Sequence, residues 1–150
     1  MITPAQIFLV ANSTAMLCWA ALAICLFAPR LQDWIPRVTG LIVPAFFAVV
    51  YIVCIGKGFS ETRDGSFSSI GGVRALFGND FALVAGWLHY LAFDLFVGAW
   101  IVRRGIKERL NPILLLLCLP VTFLFGPAGL LLYWVERAVF SRRSALGGSA

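Results

Sequence analysis

The chain has 150 residues, of which 61% are hydrophobic and only 13% charged, and its net charge is +5. A water-soluble domain is seldom so apolar. The basic residues lie between apolar segments, where they suit phospholipid head groups, and form no stripe with loop aromatics, so a nucleic-acid partner is set aside. What remains is one small all-α membrane protein embedded in a lipid bilayer. It is too short for an inverted-repeat transporter unless it forms a homo-oligomer.

The first apolar segment runs from about Ala5 to Ala28, with Thr3 as cap and Pro4 as first helical residue. It lacks a positive flank and is too long for a signal sequence, so it reads as a retained span. No transit peptide precedes it, which points to a bacterial inner membrane, a processed organelle protein being the alternative. Asn12, Ser13 and Thr14 form a polar patch within it. Small polar side chains often join helices in bilayers; alternatively, Asn12 shares an interior with His89.

The connection Pro29–Arg37 carries Trp34 as an interfacial anchor. A second span follows from Val38 to about Ile55, kinked at Pro44. The longest connection, Gly56–Asp80, mixes charged and apolar residues. Within it, Ser68 or Ser69 can cap a short helix bearing Ile70, Val73, Leu76 and Phe77. Such a helix suits the membrane interface, as a passive element or as a lid.

The third span, from about Phe81 to Val102, holds the chain's single histidine, His89, and Asp94, the one charged residue inside an apolar segment. Ionisable groups at membrane depth are unfavourable by ~2.5–3.5 kcal/mol each and commonly mark function. At ~100° per residue, Gly86, Trp87, Tyr90, Asp94 and Gly98 fall on one face, while His89 lies about 140° from Asp94. The two cannot bond within their own helix, but can border one cavity with Tyr90 between them. In the alternative, Asp94 pairs with an arginine such as Arg74, His89 bonds a carbonyl, and both only fix the packing.

The basic connection Arg103–Asn111 leads to a fourth span, Pro112 to about Val135, broken by Pro120 and by Gly126-Pro127-Ala128-Gly129. A helix interrupted at membrane depth must border protein or a cavity, because lipid cannot satisfy the freed backbone groups. Four spans over residues 1–138 and a flexible tail over 139–150 complete the expected architecture. With four spans, the sides hold six Lys and Arg residues each: Arg30, Arg37, Arg103, Arg104, Lys107 and Arg109 against Lys57, Arg63, Arg74, Arg137, Arg142 and Arg143. The balance leaves orientation open, although the density of the third connection favours termini outside.

The four cysteines, Cys18, Cys25, Cys54 and Cys118, all lie in apolar segments and read as small apolar side chains. No metal site is expected. An oxygen-activating iron centre commonly needs two histidines and a carboxylate, and a chain with one histidine cannot supply that by itself. The cofactor is otherwise open.

G-W-L-H-Y-L-A-F-D-L-F at 86–96, S-I-G-G-V-R-A-L-F at 69–77 and F-G-P-A-G-L-L at 125–131 resemble the abscisic-acid-deficient-four-like family, that of the plant neoxanthin-synthesis protein, which has many short bacterial members. The resemblance runs from the first span to about residue 138 and is strongest in W-x-H-x-L-x-x-D-L-F. It implies a four-helix membrane protein concerned with carotenoids. The plant member is required for converting violaxanthin to neoxanthin, which opens an epoxide and forms an allene. Trp87, His89, Asp94 and the Gly126-Pro127 break match the family's pattern. Most bacteria make no violaxanthin, so isomerisation of another polyene, or cleavage to an apocarotenal such as retinal, is equally in view.

A carotenoid is an apolar rod about as long as a bilayer is thick, and aromatics such as Phe93, Phe96, Trp100, Phe123 and Phe125 suit it. Burial favours the neutral forms of both groups. Asp94 is therefore expected as an acid and His89 as a base, or the reverse. The candidate substrate contacts are Trp87, Tyr90, Phe93, Asn12, Arg74, Phe125, Gly126 and Pro127. Three functions stay open: an enzyme on a carotenoid or apocarotenoid, a non-catalytic carotenoid-binding or scaffold subunit, and an oligomeric proton pathway through His89 and Asp94.

Overall fold

In the computed structural model the backbone is described for residues 2–147 and the side chains for residues 2–139. Helix α1 (Pro4–Cys25) begins at Thr3, whose hydroxyl accepts from the Gln6 amide while the Gln6 side chain caps in return. After a 3-10 turn, Pro29–Leu31, helix α2 (Ile35–Arg37) passes through a π-helical turn, Val38–Ile42, into α3 (Val43–Glu61). Pro44 explains the wide turn: it has no N–H to donate, and its ring would collide with the carbonyl four residues back in a regular α-helix. The second span therefore stays helical to Glu61, beyond the expected end at Ile55.

The long connection is correspondingly shorter. It contains α4 (Ile70–Phe77), capped by Ser69, whose hydroxyl accepts from Gly72 N at 3.1 Å. Leu76 is fully buried, whereas Ile70 is exposed, so only part of the expected apolar side is covered. Asn79 then caps α5 (Asp80–Lys107) and also donates from Nδ2 to Glu61 at 2.9 Å, tying the end of α3 to the start of α5.

Helix α5 is the central stave, with Leu88, Leu91, Leu95, Ile101 and Val102 all essentially inaccessible. It runs antiparallel to α3, and small residues set the spacing at both ends. A Cβ added to Gly40 would lie 2.5 Å from Ala99 Cβ, and one added to Gly58 would lie 2.6 Å from Ala82 Cβ. Close backbone approach at small residues is how helices pack in bilayers, where dispersion and hydrogen bonding replace the hydrophobic drive.

α1, the continuous segment Pro29–Glu61, and α5 are each long and apolar enough to cross a membrane. The segment Pro112–Val135, expected as a fourth span, is not one continuous helix. The segment forms two helices, α6 (Pro112–Phe125) and α7 (Pro127–Gly147), joined at Gly126 with φ +41°. The helices fold back on each other. A Cβ on Gly129 would lie 2.5 Å from Thr122 Cα, and Cys118 Sγ donates to Glu136 Oε2 at 3.3 Å. Glu108, just past the end of α5, is held by Arg104 at 2.6 Å and by Arg137 of α7 at 2.7 Å. Hence α7 returns to the end of the bundle from which α6 set out. The physical reason is the Gly-Pro pair: glycine adopts the left-handed turn and proline starts the next helix without needing its missing N–H. With 14 residues, α6 falls short of the ~20 that a crossing requires. Of the flexible tail expected over 139–150, residues 139–147 continue α7 as helix, and 148–150 lie outside the described residues.

Candidate functional site

The face read from the helical wheel of α5 is a real wall. Gly86 packs under Phe77 of α4, and Trp87 Nε1 donates to Asn12 Oδ1 of α1 across a long 3.4 Å. Trp87 also stacks with Phe8 and Tyr90, ring centres 5.6 and 5.2 Å away. One turn past Asp94, Gly98 receives the edge of Trp19, which itself packs on Phe123 with ring centres 5.7 Å apart. Asn12 thus joins two helices and faces Trp87 rather than His89.

The hairpin tip closes this wall. Pro127 has no N–H to give the Phe123 carbonyl, four residues earlier. The Tyr90 hydroxyl donates to that carbonyl instead. Asp94, one turn on from Tyr90 and within its reach, lies against Gly126: a methyl group there would sit 2.7 Å from Oδ1. At ~1.5 Å per residue, about 20 Å of helix separates Asp94 from Lys107, and about 20 Å spans α6 from Pro112 to Phe125. The tip therefore reaches the level of Asp94 and stops there.

Asp94 is 7% exposed, and its Oδ2 has no hydrogen-bond partner among the described residues. Among the described residues the ion pairs are the two at Glu108, so no cation neutralises Asp94. Arg74 stays exposed on α4 and reaches neither Asp94 nor this wall's centre. A second buried polar atom without a partner, Trp19 Nε1, belongs to a side chain packed around the same tip. Trp19 is not singled out by the residues around it, because a tryptophan in an apolar run reads as a lipid contact. Only the glycine one turn past Asp94 marked the space it fills.

His89 is elsewhere. It is exposed, with its ring centre 4.6 Å from Phe93 and 6.0 Å from Tyr51 of α3. The structure does not bring the imidazole and the carboxyl to one cavity. Phe93 and Phe125 are also on the outside, 60% and 65% exposed, and Pro127 is exposed beside the buried Gly126. An apolar groove of about 620 Å³ lies nearer the start of α5, lined by Phe8, Phe77, Asp80, Leu83, Gly86 and Trp87. Trp87 is common to the groove and to the wall that leads to Asp94.

Removing the Tyr90 hydroxyl tests the closure. Tyr90→Phe leaves the part-buried Phe123 carbonyl without its donor, a loss of about 1 kcal/mol, rising toward about 3 for a fully buried acceptor. The melting temperature in detergent should fall by several degrees. An unchanged value would show that the carbonyl is satisfied in another way.

The model of the ABA DEFICIENT 4-like family matches residues 6–133, from the first turn of α1 to Tyr133 of α7. The chain belongs to that family. No curated protein and no solved structure matches it. The ABA DEFICIENT 4-like match covers the wall, the hairpin tip and all of the groove's lining but Pro4 and Ala5.

Proposed function

We propose that this protein binds a carotenoid-type polyene in the membrane and acts on its oxygen-bearing end by proton transfer at Asp94, in the setting of a bacterial inner membrane. The observation that carries this reading is the buried Oδ2 of Asp94, left without a partner beside a helix break. An ionisable group retained at membrane depth without a neutralising cation contributes little to packing and suits chemistry. Trp19 Nε1 offers a donor to an oxygen near the same tip, and Trp87, Phe93 and Phe125 offer apolar surface to a rod that arrives through lipid.

The chemistry that fits is isomerisation. Protonation of an epoxide oxygen by the carboxyl breaks a C–O bond, and loss of a proton from the neighbouring carbon to the carboxylate forms the double bond. Substrate and product are isomers, and no oxidant is consumed. Tyr90, one turn before Asp94 on the same helix, donates to the Phe123 carbonyl and so holds the hairpin tip against the carboxyl. Cleavage to an apocarotenal such as retinal calls for an oxygen-activating centre, and the single histidine, set apart from Asp94, supplies one ligand to it. His89, exposed between Tyr51 and Phe93, is instead the polar group that a second copy of the chain would cover, which favours a homo-oligomer.

The test is chromatography of pigments from carotenoid-making cells with and without the protein. A new isomer that persists in His89→Ala and is lost in Tyr90→Phe and Asp94→Asn is the expected result. Bound but unaltered pigment would make the protein a binding or scaffold subunit. Absence of any bound or altered pigment would overturn the reading.

A further inference from the structure

We propose that the chain crosses the bilayer three times, that the α6–α7 hairpin enters and leaves through the same surface, and that this surface is cytoplasmic. Three observations converge. First, the hairpin tip stops at the level of Asp94, midway along α5, and Arg137 of α7 returns to Glu108. Secondly, broken helices at membrane depth are tolerated where protein satisfies the freed groups, and Tyr90 does so for the Phe123 carbonyl.

The third observation is charge. A fourth crossing would divide the Lys and Arg residues six against six. With the hairpin turned back, Arg137, Arg142 and Arg143 join the side of Arg30, Arg37 and the basic connection after α5. The count becomes nine against three, only Lys57, Arg63 and Arg74 remaining opposite. An excess of this size in short connections sets cytoplasmic orientation. The same end holds a polar cleft of about 250 Å³ lined by Gln32, Asp33, Arg37, Arg103 and Lys107. Anionic head groups of the cytoplasmic leaflet suit that cation-rich cleft.

The N-terminus is then outside and the tail inside. The apolar groove, which lies by the starts of the parallel helices α1 and α5, opens to the outer leaflet. Loading of a polyene from that leaflet rests on the function proposed above; the topology does not.

Cysteine labelling tests it in the full-length protein. The native thiols of Cys18, Cys25, Cys54 and Cys118 are buried and give little background. Asp64→Cys, Asp33→Cys and Ala138→Cys each place a thiol at an exposed position. In intact bacterial cells a membrane-impermeant maleimide should label Asp64→Cys alone, and the other two only after permeabilisation. Labelling of Ala138→Cys together with Asp64→Cys in intact cells would restore the fourth crossing and overturn the proposal. Labelling of Asp33→Cys and Ala138→Cys in intact cells, with Asp64→Cys protected, would overturn the leaflet assignment. A carboxy-terminal fluorescent protein that matures only in the cytoplasm gives an independent reading on the unsubstituted chain: fluorescence supports the proposal and its absence opposes it. Pigment assays can fail without altering either result.

Discussion

Asp94→Asn is expected to lower product formation by about 10²–10⁴-fold, the usual contribution of a positioned acid or base, without weakening the fold. The two side chains have the same shape, so packing against Gly126 is kept. What changes is that a group able to give and take a proton becomes one that cannot. A buried carboxyl with one oxygen unpartnered and no cation nearby is an unfavourable inclusion. Its replacement by a neutral amide should hold or raise the melting temperature in detergent. Loss of activity with gain of stability is the mark of a residue kept for chemistry. If Asp94→Asn makes product at the normal rate, the carboxyl is not the reacting group. If it fails to fold, the group is part of the packing instead.

Gly129→Val should have the largest effect on the fold. A Cβ at residue 129 would lie 2.5 Å from the Thr122 Cα, with more of the Thr122 backbone in contact. A main chain cannot turn aside as a flexible side chain does, so α6 and α7 must separate. Overpacking typically costs about 1–3 kcal/mol, and a clash with backbone belongs at or above the top of that range. The tip would leave Asp94 and uncouple Tyr90 from the Phe123 carbonyl. We expect the monodisperse peak in detergent chromatography to be lost or the melting temperature to drop steeply. A variant that melts like the parent protein would show that the two helices are not in contact at this point.

Much of this was legible in the residues, for identifiable reasons. The caps at Thr3 and Ser69 depend on local chemistry, and both formed. The face of Trp87, Tyr90, Asp94 and Gly98 followed from the helical repeat alone. The wheel also placed His89 well away from Asp94; what it could not show was which neighbour each sector meets. The carboxyl sector met a helix turn and the imidazole sector met Phe93 and Tyr51. The reversal at Gly126 was harder still. Hydropathy adds up apolar residues without regard to direction, so a 14-residue helix that turns back at Gly126 and one long span look alike. The signals that separate them were present: Gly-Pro after 14 residues, and a charge balance too even for an oriented membrane protein. Arg74, the arginine that the alternative reading pairs with Asp94, stays exposed on α4, a placement that charge complementarity alone does not reveal.

The contacts of Gly40 with Ala99 and of Gly58 with Ala82 have a mechanical consequence. Two helices that touch at both ends, main chain almost to main chain, behave as one rigid beam with no slack for sliding. Any breathing that admits a long ligand toward Asp94 must therefore come from α1 or from the folded-back tip. The seam between those two parts is where a door through the side of the bundle would open.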